Sequence, residues 1–436
     1  MTLTRPRSRS SRAAGVPVTV PPFVVVAAIL LLGVNLRGPI VAVSPVLDTI
    51  SADLGISATT AGLLTGLPVL CFGLATPAAS ALLARFGLGR GVSISLVVLL
   101  AGMLLRSVDG LPSALAGTLL IGIAITVGNV AVPVVIARDL PRRAGPVLGG
   151  YTAALNVGSM PTLSLTVPLA SALGWRTAVA SWGVLVLAAL ALWAYATRGP
   201  IRDTAATAGG DGEATTDDGD DRAWWRRPKV WLLTVAFSGQ AFAYYGVTAW
   251  LPLLLRDELG MAPGTAGLSA SIFQIAALVG AFGVPVLLRV LPGPRGVVLI
   301  VAVAWAALPL GLLLAPSLWP VWCAVGGAAQ GGGLVAVFSL VVRAARDLAD
   351  NRRISALVQG GGYVVAASGP TVVGAVHEAT GGWTAPLLVV LAAIVLLGVA
   401  GTASAGRAAP RTGRADGWGV DRARRQPQAH GRVRCR

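Results

Sequence analysis

The apolar and polar positions of this chain fall into long blocks. Apolar stretches run at approximately 23–47, 60–84, 91–108, 111–137, 144–170 and 177–197, and again at 230–255, 264–288, 296–315, 318–342, 354–376 and 383–406. About 20 apolar residues in a helix cross a bilayer core of about 30 Å. The pattern therefore predicts an all-α integral membrane fold of twelve transmembrane helices. Polar blocks frame the two sets of six: a basic, disordered tail at 1–22, a central loop at 198–229 holding the acidic run DGEATTDDGDD, and a basic tail at 407–436. The two six-helix bundles are expected at 23–197 and 230–406.

Composition agrees with the pattern. The chain is 55% hydrophobic and only 12% charged, against about 25% charged residues in soluble domains. A net charge of +16 would suggest a nucleic-acid partner in a soluble protein; here its placement explains it. Of 34 Lys and Arg residues, 30 fall in the tails and in the loops on the N-terminal side, three (Arg106, Arg176, Arg256) in loops on the opposite side, and Arg37 inside a span. The positive-inside rule then puts both termini in the cytoplasm, and anionic lipid headgroups account for the basic tail without nucleic acid. The first apolar run exceeds a signal-peptide core, so it is read as an uncleaved first span in the cell (inner) membrane. Cys71, Cys323 and Cys435 show no metal or redox spacing and His377 and His430 are the only histidines, so no metal and no cofactor is expected.

The halves repeat each other. DLGISATTAGL at 53–63 matches ELGMAPGTAGL at 258–268 in six of eleven positions, offset by 205. ARDL at 137–140 recurs at 345–348, GGY ending at Tyr151 recurs ending at Tyr363, and Gly174-Trp175 recurs as Gly382-Trp383. Because six spans precede the second copy, it enters the membrane in the same orientation. A parallel repeat of this kind suits two rigid bundles that rock around a site at the midplane.

Candidate chemistry centres on Phe23–Leu47, where Arg37 is the only charged side chain in 25 residues. An arginine about 21 Å into the span costs about 2.5–3.5 kcal/mol on insertion scales, so it faces a cavity or a partner. Pro39 and Pro45 remove backbone donors nearby, and broken helix beside a fixed charge is a common solute site. Polar residues within other spans are the remaining candidates: Asn129, Tyr151, Asn156, Gln240, Tyr244, Gln274, Gln330, Gln359 and Tyr363. Gln240 and Tyr244 share a face, as do Thr152 and Asn156. The alternative for each is an interhelical hydrogen bond, worth about 0.6 kcal/mol on average. Together they offer donors and aromatic faces but no negative charge, which fits a small anion or a polarised neutral ring. Glycine runs such as GGAAQGGG at 326–333 lack a following Lys-Ser or Lys-Thr, so they read as helix packing and not as an ATP site. Acids sit at span ends or in loops, which favours facilitated or weakly coupled transport, with protons kept as a candidate partner.

The turn ALLARFGLGRG at 81–91 resembles the loop signature of the major facilitator superfamily. Arg85, Gly87 and Arg90 match it, and Ala84 stands where an acid is expected. With Arg138, Asp139, Arg346 and Asp347 of the repeated ARDL blocks, these are the candidate conformational-loop residues. The blocks LLTGLPVLCFGLATP (63–77), GNVAVPVVIARDLP (128–141), GGYTAALNVGSMP (149–161), GQAFAYYGVTAWLPLLL (239–255) and VQGGGYVVAASGP (358–370) resemble the cyanate permease and 2-nitroimidazole transporter family of that superfamily. The first helix keeps Leu36 and Arg37 but has Gly38 next, with Pro39 one later. The resemblance implies a non-enzymatic, monomeric transporter of a small solute by alternating access. Two other readings compete: a multidrug or metabolite exporter of the same superfamily, and a non-transporting membrane sensor.

Overall fold

The computed structural model describes residues 21–198 and 221–406. The basic tail at 407–436, the expected tail up to residue 20 and the acidic run up to residue 220 lie outside the described residues; Pro22, expected in the tail, already opens the first helix. The elements seen are all helical. The first apolar stretch is interrupted: α1 (Pro22–Asn35) stops just before Arg37, α2 (Gly38–Val41) makes one turn, a 3-10 turn covers Ser44–Val46, and α3 (Leu47–Leu54) follows. Pro39 and Pro45 sit at the start of new turns, where their missing N–H costs nothing. The stretch continues seven residues past its expected end at 47, to Leu54, and Gly55 with its left-handed φ of 61° closes α3.

α4 (Ala58–Leu74) begins with the Ser57 hydroxyl accepting from the Thr60 amide at 3.2 Å. The expected second span of 60–84 breaks at Ala75, because Pro77 opens a new helix, and α5 (Thr76–Arg106) then runs to the third loop. The turn expected at 81–91 is reduced to one kink inside α5 at Gly87, with φ 77° and ψ 164°, a conformation that only glycine adopts readily. α6 (Leu111–Asp139), α7 (Ala144–Leu173), α8 (Trp175–Ser181) and α9 (Gly183–Ala196) complete the first half. α10 (Pro228–Leu259), α11 (Pro263–Val290), α12 (Pro294–Leu314), α13 (Trp319–Ala344), α14 (Leu348–Ala366), α15 (Ser368–Thr380) and α16 (Thr384–Ser404) follow.

Nine stretches among the described residues are long and apolar enough to cross a membrane. The segments expected at 60–84, 144–170 and 354–376 are not among them. α4 is shortened by the break at Ala75, α14 and α15 part at Ala367, and α7 carries Asn156, Ser159, Thr162 and Thr166 facing inwards, all buried.

Within the first half α5 packs on α6 and α9, α4 on α6, and α1 on α7 and α9. Within the second, α10 packs on α14, α15 and α16, and α13 on α11 and α12. Between halves, α4 lies along α14 and α15, and α7 along α11. The α4–α15 approach is close because Gly62 has no side chain: a Cβ there would sit 2.7 Å from the Pro370 carbonyl carbon and oxygen and from the Thr371 Cα. Helix packing in lipid depends on such contacts, since apolar burial offers no preference for protein over acyl chains.

Candidate functional site

The break after α1 points Arg37 into a cavity of about 590 Å³ between the two halves. The first half contributes the α1–α2 break and residues of α4, α5, α6 and α7; the second contributes α10, α13 and α14. Arg37 is the only charged side chain lining it among the described residues. Its Nη1 donates to Asn156 Oδ1 at 2.7 Å, and its guanidinium lies 5.0 Å from the centre of the Tyr244 ring. A hydrogen bond to a charged group contributes about 1.5–3 kcal/mol and a desolvated cation–π contact about 2 kcal/mol. These contacts orient the cation without neutralising it, so the cavity keeps a positive charge.

Five further expected residues line the same space: Asn129, Tyr151, Tyr244, Gln359 and Tyr363. Tyr151 donates from its hydroxyl to Asn129 Oδ1 at 3.1 Å, while Tyr363 sets its ring edge-on to Phe72, centroids 5.5 Å apart. The two tyrosines of the repeated GGY blocks thus reach one cavity from opposite halves. Asn156 stands behind the wall, holding Arg37 and donating to the Thr152 carbonyl at 3.1 Å.

Gln240, Gln274 and Gln330 do not line the cavity. Gln240 donates to the Gln330 carbonyl at 2.7 Å and accepts from Trp305 Nε1 at 3.1 Å, a satisfied bridge between α10, α12 and α13. Gln274 accepts from the Tyr244 hydroxyl at 3.3 Å and donates to Thr248 Oγ1, holding the Tyr244 ring from behind. Both are interhelical hydrogen bonds of the ordinary kind. The sequence reading missed Tyr245, Phe72 and Phe338, which line the cavity. The adjacent tyrosines at 244 and 245 were a usable signal; the phenylalanines look like any lipid-facing residue.

At the end of the bundle where α3, α5 and α10 finish, two contacts tie the halves together and others brace each half. Arg256 pairs with Asp48, and Glu378 accepts from the Thr59 hydroxyl at 3.0 Å and its amide at 3.3 Å. Arg176 bridges Asp53 at 2.7 Å and Asp109 at 2.6 Å, and Trp383 donates to Asp257 at 3.1 Å. His377 stacks on Trp383 with centroids 4.1 Å apart. At the opposite end lie the expected loop residues. Arg85 lies over the Phe86 ring at 5.5 Å, Arg90 is exposed, Gly87 makes the kink, and Arg138 pairs with Asp139 at 2.6 Å. Asp347 caps α14 by accepting from the Asp350 amide at 2.8 Å. Asp350 in turn takes both nitrogens of the Arg227 fork, at 2.9 and 3.0 Å, and the Arg346 amide at 2.9 Å. Burial raises the Asp350 carboxyl, but the Arg227 fork and the Arg346 amide outweigh it and hold the group below the usual carboxylate range. Arg106 was expected in a loop; it is the last residue of α5 and is buried.

This fold and central cavity define a multi-pass membrane transporter. Residues 23–292 match the Major Facilitator Superfamily model, and the chain belongs to that superfamily. It is 33% identical over 383 residues to the uncharacterized transporter YycB of Bacillus subtilis, covering 87% of this chain and 92% of the relative. It is 29% identical over 380 residues to the 2-nitroimidazole transporter of Escherichia coli, covering 87% and 94%. The cyanate transport protein CynX of E. coli is 26% identical over 358 residues, covering 81% and 90%. Among solved structures, the bacterial homolog of the human lysosomal transporter Spinster, in an inward-facing conformation, superposes with a TM-score of 0.70 at 16% identity, over 89% of this chain and 98% of that one.

Proposed function

We propose that this chain carries a small anion, or a small polar ring with an electron-rich edge, across the cell (inner) membrane by alternating access. The observation that supports this reading is the single fixed cation of Arg37 in an aromatic-walled cavity between the halves, with no acid in its lining among the described residues. A cyanate-like ion would pair with Arg37, and a nitroimidazole-like ring would also stack on Tyr244, Tyr245 or Tyr363. In this reading twelve spans form two parallel six-helix bundles, at 23–197 and 230–406, with both termini cytoplasmic. The Asp48–Arg256 end then faces outwards and is closed, and the cavity-lining residues lie towards the cytoplasmic end. Asn129, Tyr151, Tyr244, Gln359 and Tyr363 contact the solute; Asn156, Gln240, Gln274 and Gln330 support them from behind. Arg85, Gly87, Arg90, Arg138, Asp139, Arg346 and Asp347 serve the conformational switch. The protein works as a monomer without ATP.

An exporter of organic cations is the weaker reading, since a cationic wall repels such cargo. A non-transporting sensor has the same sequence signature and differs only in flux. The test is uptake of labelled cyanate and of 2-nitroimidazole into vesicles holding wild type or Arg37→Ala, with and without an imposed pH gradient. Saturable uptake that Arg37→Ala abolishes is the expected result; no uptake above empty vesicles rejects both solutes, and equal uptake by Arg37→Ala rejects the arginine-centred site.

A further inference from the structure

Arg106 is not needed to line the cavity, yet the fold buries it almost completely, at 2% exposure. Its backbone is held against α6 at Gly117, where a Cβ would meet the Arg106 Cα at 2.7 Å. Its guanidinium Nη1 donates to the carbonyl of Pro39 at 2.8 Å. Nε and Nη2 meet no acceptor among the described residues, and none of the ion pairs found among them includes it. A guanidinium stays charged at any accessible pH, so an unpaired one is a costly thing to bury.

Its bonding partner is informative. Pro39 lies two residues after Arg37, in the one-turn helix that restarts the chain after the break. The backbone of this stretch is held by few helical bonds of its own, and the Pro39 carbonyl takes its bond from another helix. Fixing that carbonyl fixes the path on which Arg37 leaves α1. The bond also places a second permanent positive charge behind the wall that Arg37 occupies, with no carboxylate paired to either among the described residues.

We infer that Arg106 is the positioning residue for Arg37, and that its charge makes the cavity select anions over neutral solutes of the same shape. The second half of this inference rests on the cavity being the solute site; the first does not. Three variants separate the two roles: Arg106→Lys keeps a donor and the charge, Arg106→Gln keeps a donor alone, and Arg106→Met keeps neither. Amide hydrogen exchange of residues 36–46 in the purified protein reads the clamp. Modification of Leu155→Cys, a cavity-lining position beside Asn156, reads the potential in an otherwise cysteine-free background. The probe pair is a sulfonate-bearing methanethiosulfonate and its trimethylammonium counterpart.

Exchange in 36–46 should rise about tenfold or more in Arg106→Met and stay near wild type in Arg106→Lys and Arg106→Gln. The sulfonate-to-ammonium rate ratio should fall severalfold in Arg106→Gln and Arg106→Met and recover in Arg106→Lys. Unchanged exchange in Arg106→Met overturns the positioning role. An unchanged rate ratio in Arg106→Gln overturns the charge role. Neither readout needs a transported substrate, so both decide the matter even when wild-type vesicles carry neither cyanate nor 2-nitroimidazole, a result that would count against the proposed function alone.

Discussion

Gly62→Ala gives the sharpest test of alternating access. The added methyl would sit 2.7 Å from three backbone atoms of Pro370 and Thr371, where ordinary contact begins at 3.4 Å. None of the three can rotate away, so α4 and α15 must separate at the Asp48–Arg256 end by a sizeable fraction of an ångström. Overpacking of this kind costs about 1–3 kcal/mol. Because α4 and α15 belong to different halves, under alternating access the cost falls only on the conformation in which they touch at the Asp48–Arg256 end. At 1.4 kcal/mol per tenfold, the equilibrium shifts about 5- to 150-fold towards the state opened at the Asp48–Arg256 end. Ser44→Cys is a suitable reporter, since Ser44 lines the cavity and is 2% exposed. An impermeant thiol reagent applied from outside should label it about tenfold faster when Gly62→Ala is also present. A melting temperature lowered with no change in labelling rate would show that the α4–α15 contact is static packing, and the rocking of two halves would lose its support.

Other perturbations address single contacts. Gln240→Leu strands the Trp305 indole N–H and removes the bond that ties α10 to the Gln330 carbonyl, so it should cost about 1–3 kcal/mol in thermal unfolding while leaving the KM of any transported solute within about twofold. Asp48→Asn removes a pair whose members are each 31% exposed, so opening at this end should rise no more than about fivefold by the same labelling assay. Asp350→Asn should lower stability by about 1–3 kcal/mol, read by melting in detergent. Because the Asp350 carboxyl is held below its ordinary range, the stability it contributes is fully present above the ordinary carboxylate pKa. It is lost as pH falls through the lowered value, and Asp350→Asn should flatten that acid limb; an unchanged limb would refute the assignment.

Much of this protein was legible in one dimension. Span positions follow from the bilayer, which admits only helices whose backbone bonds are internal, so apolar blocks translate almost directly into elements. The break near Arg37 was legible because Pro39 and Pro45 cannot donate, and the GGY repeat ties Tyr151 and Tyr363 together in the sequence alone. Which polar residue faces the cavity was not legible. Gln240 and Gln359 look alike as single amides in apolar helices, yet one bridges α10, α12 and α13 and the other lines the cavity, because helix rotation is set by packing against neighbours and not by local sequence. The breaks at Ala75 and Ala367 were missed for the related reason that an apolar run does not record where a helix is cut. Arg106 shows the limit most plainly: at the end of an apolar run it reads as a loop arginine, and only the close approach of α6 and the buried carbonyl of Pro39 turn it inwards.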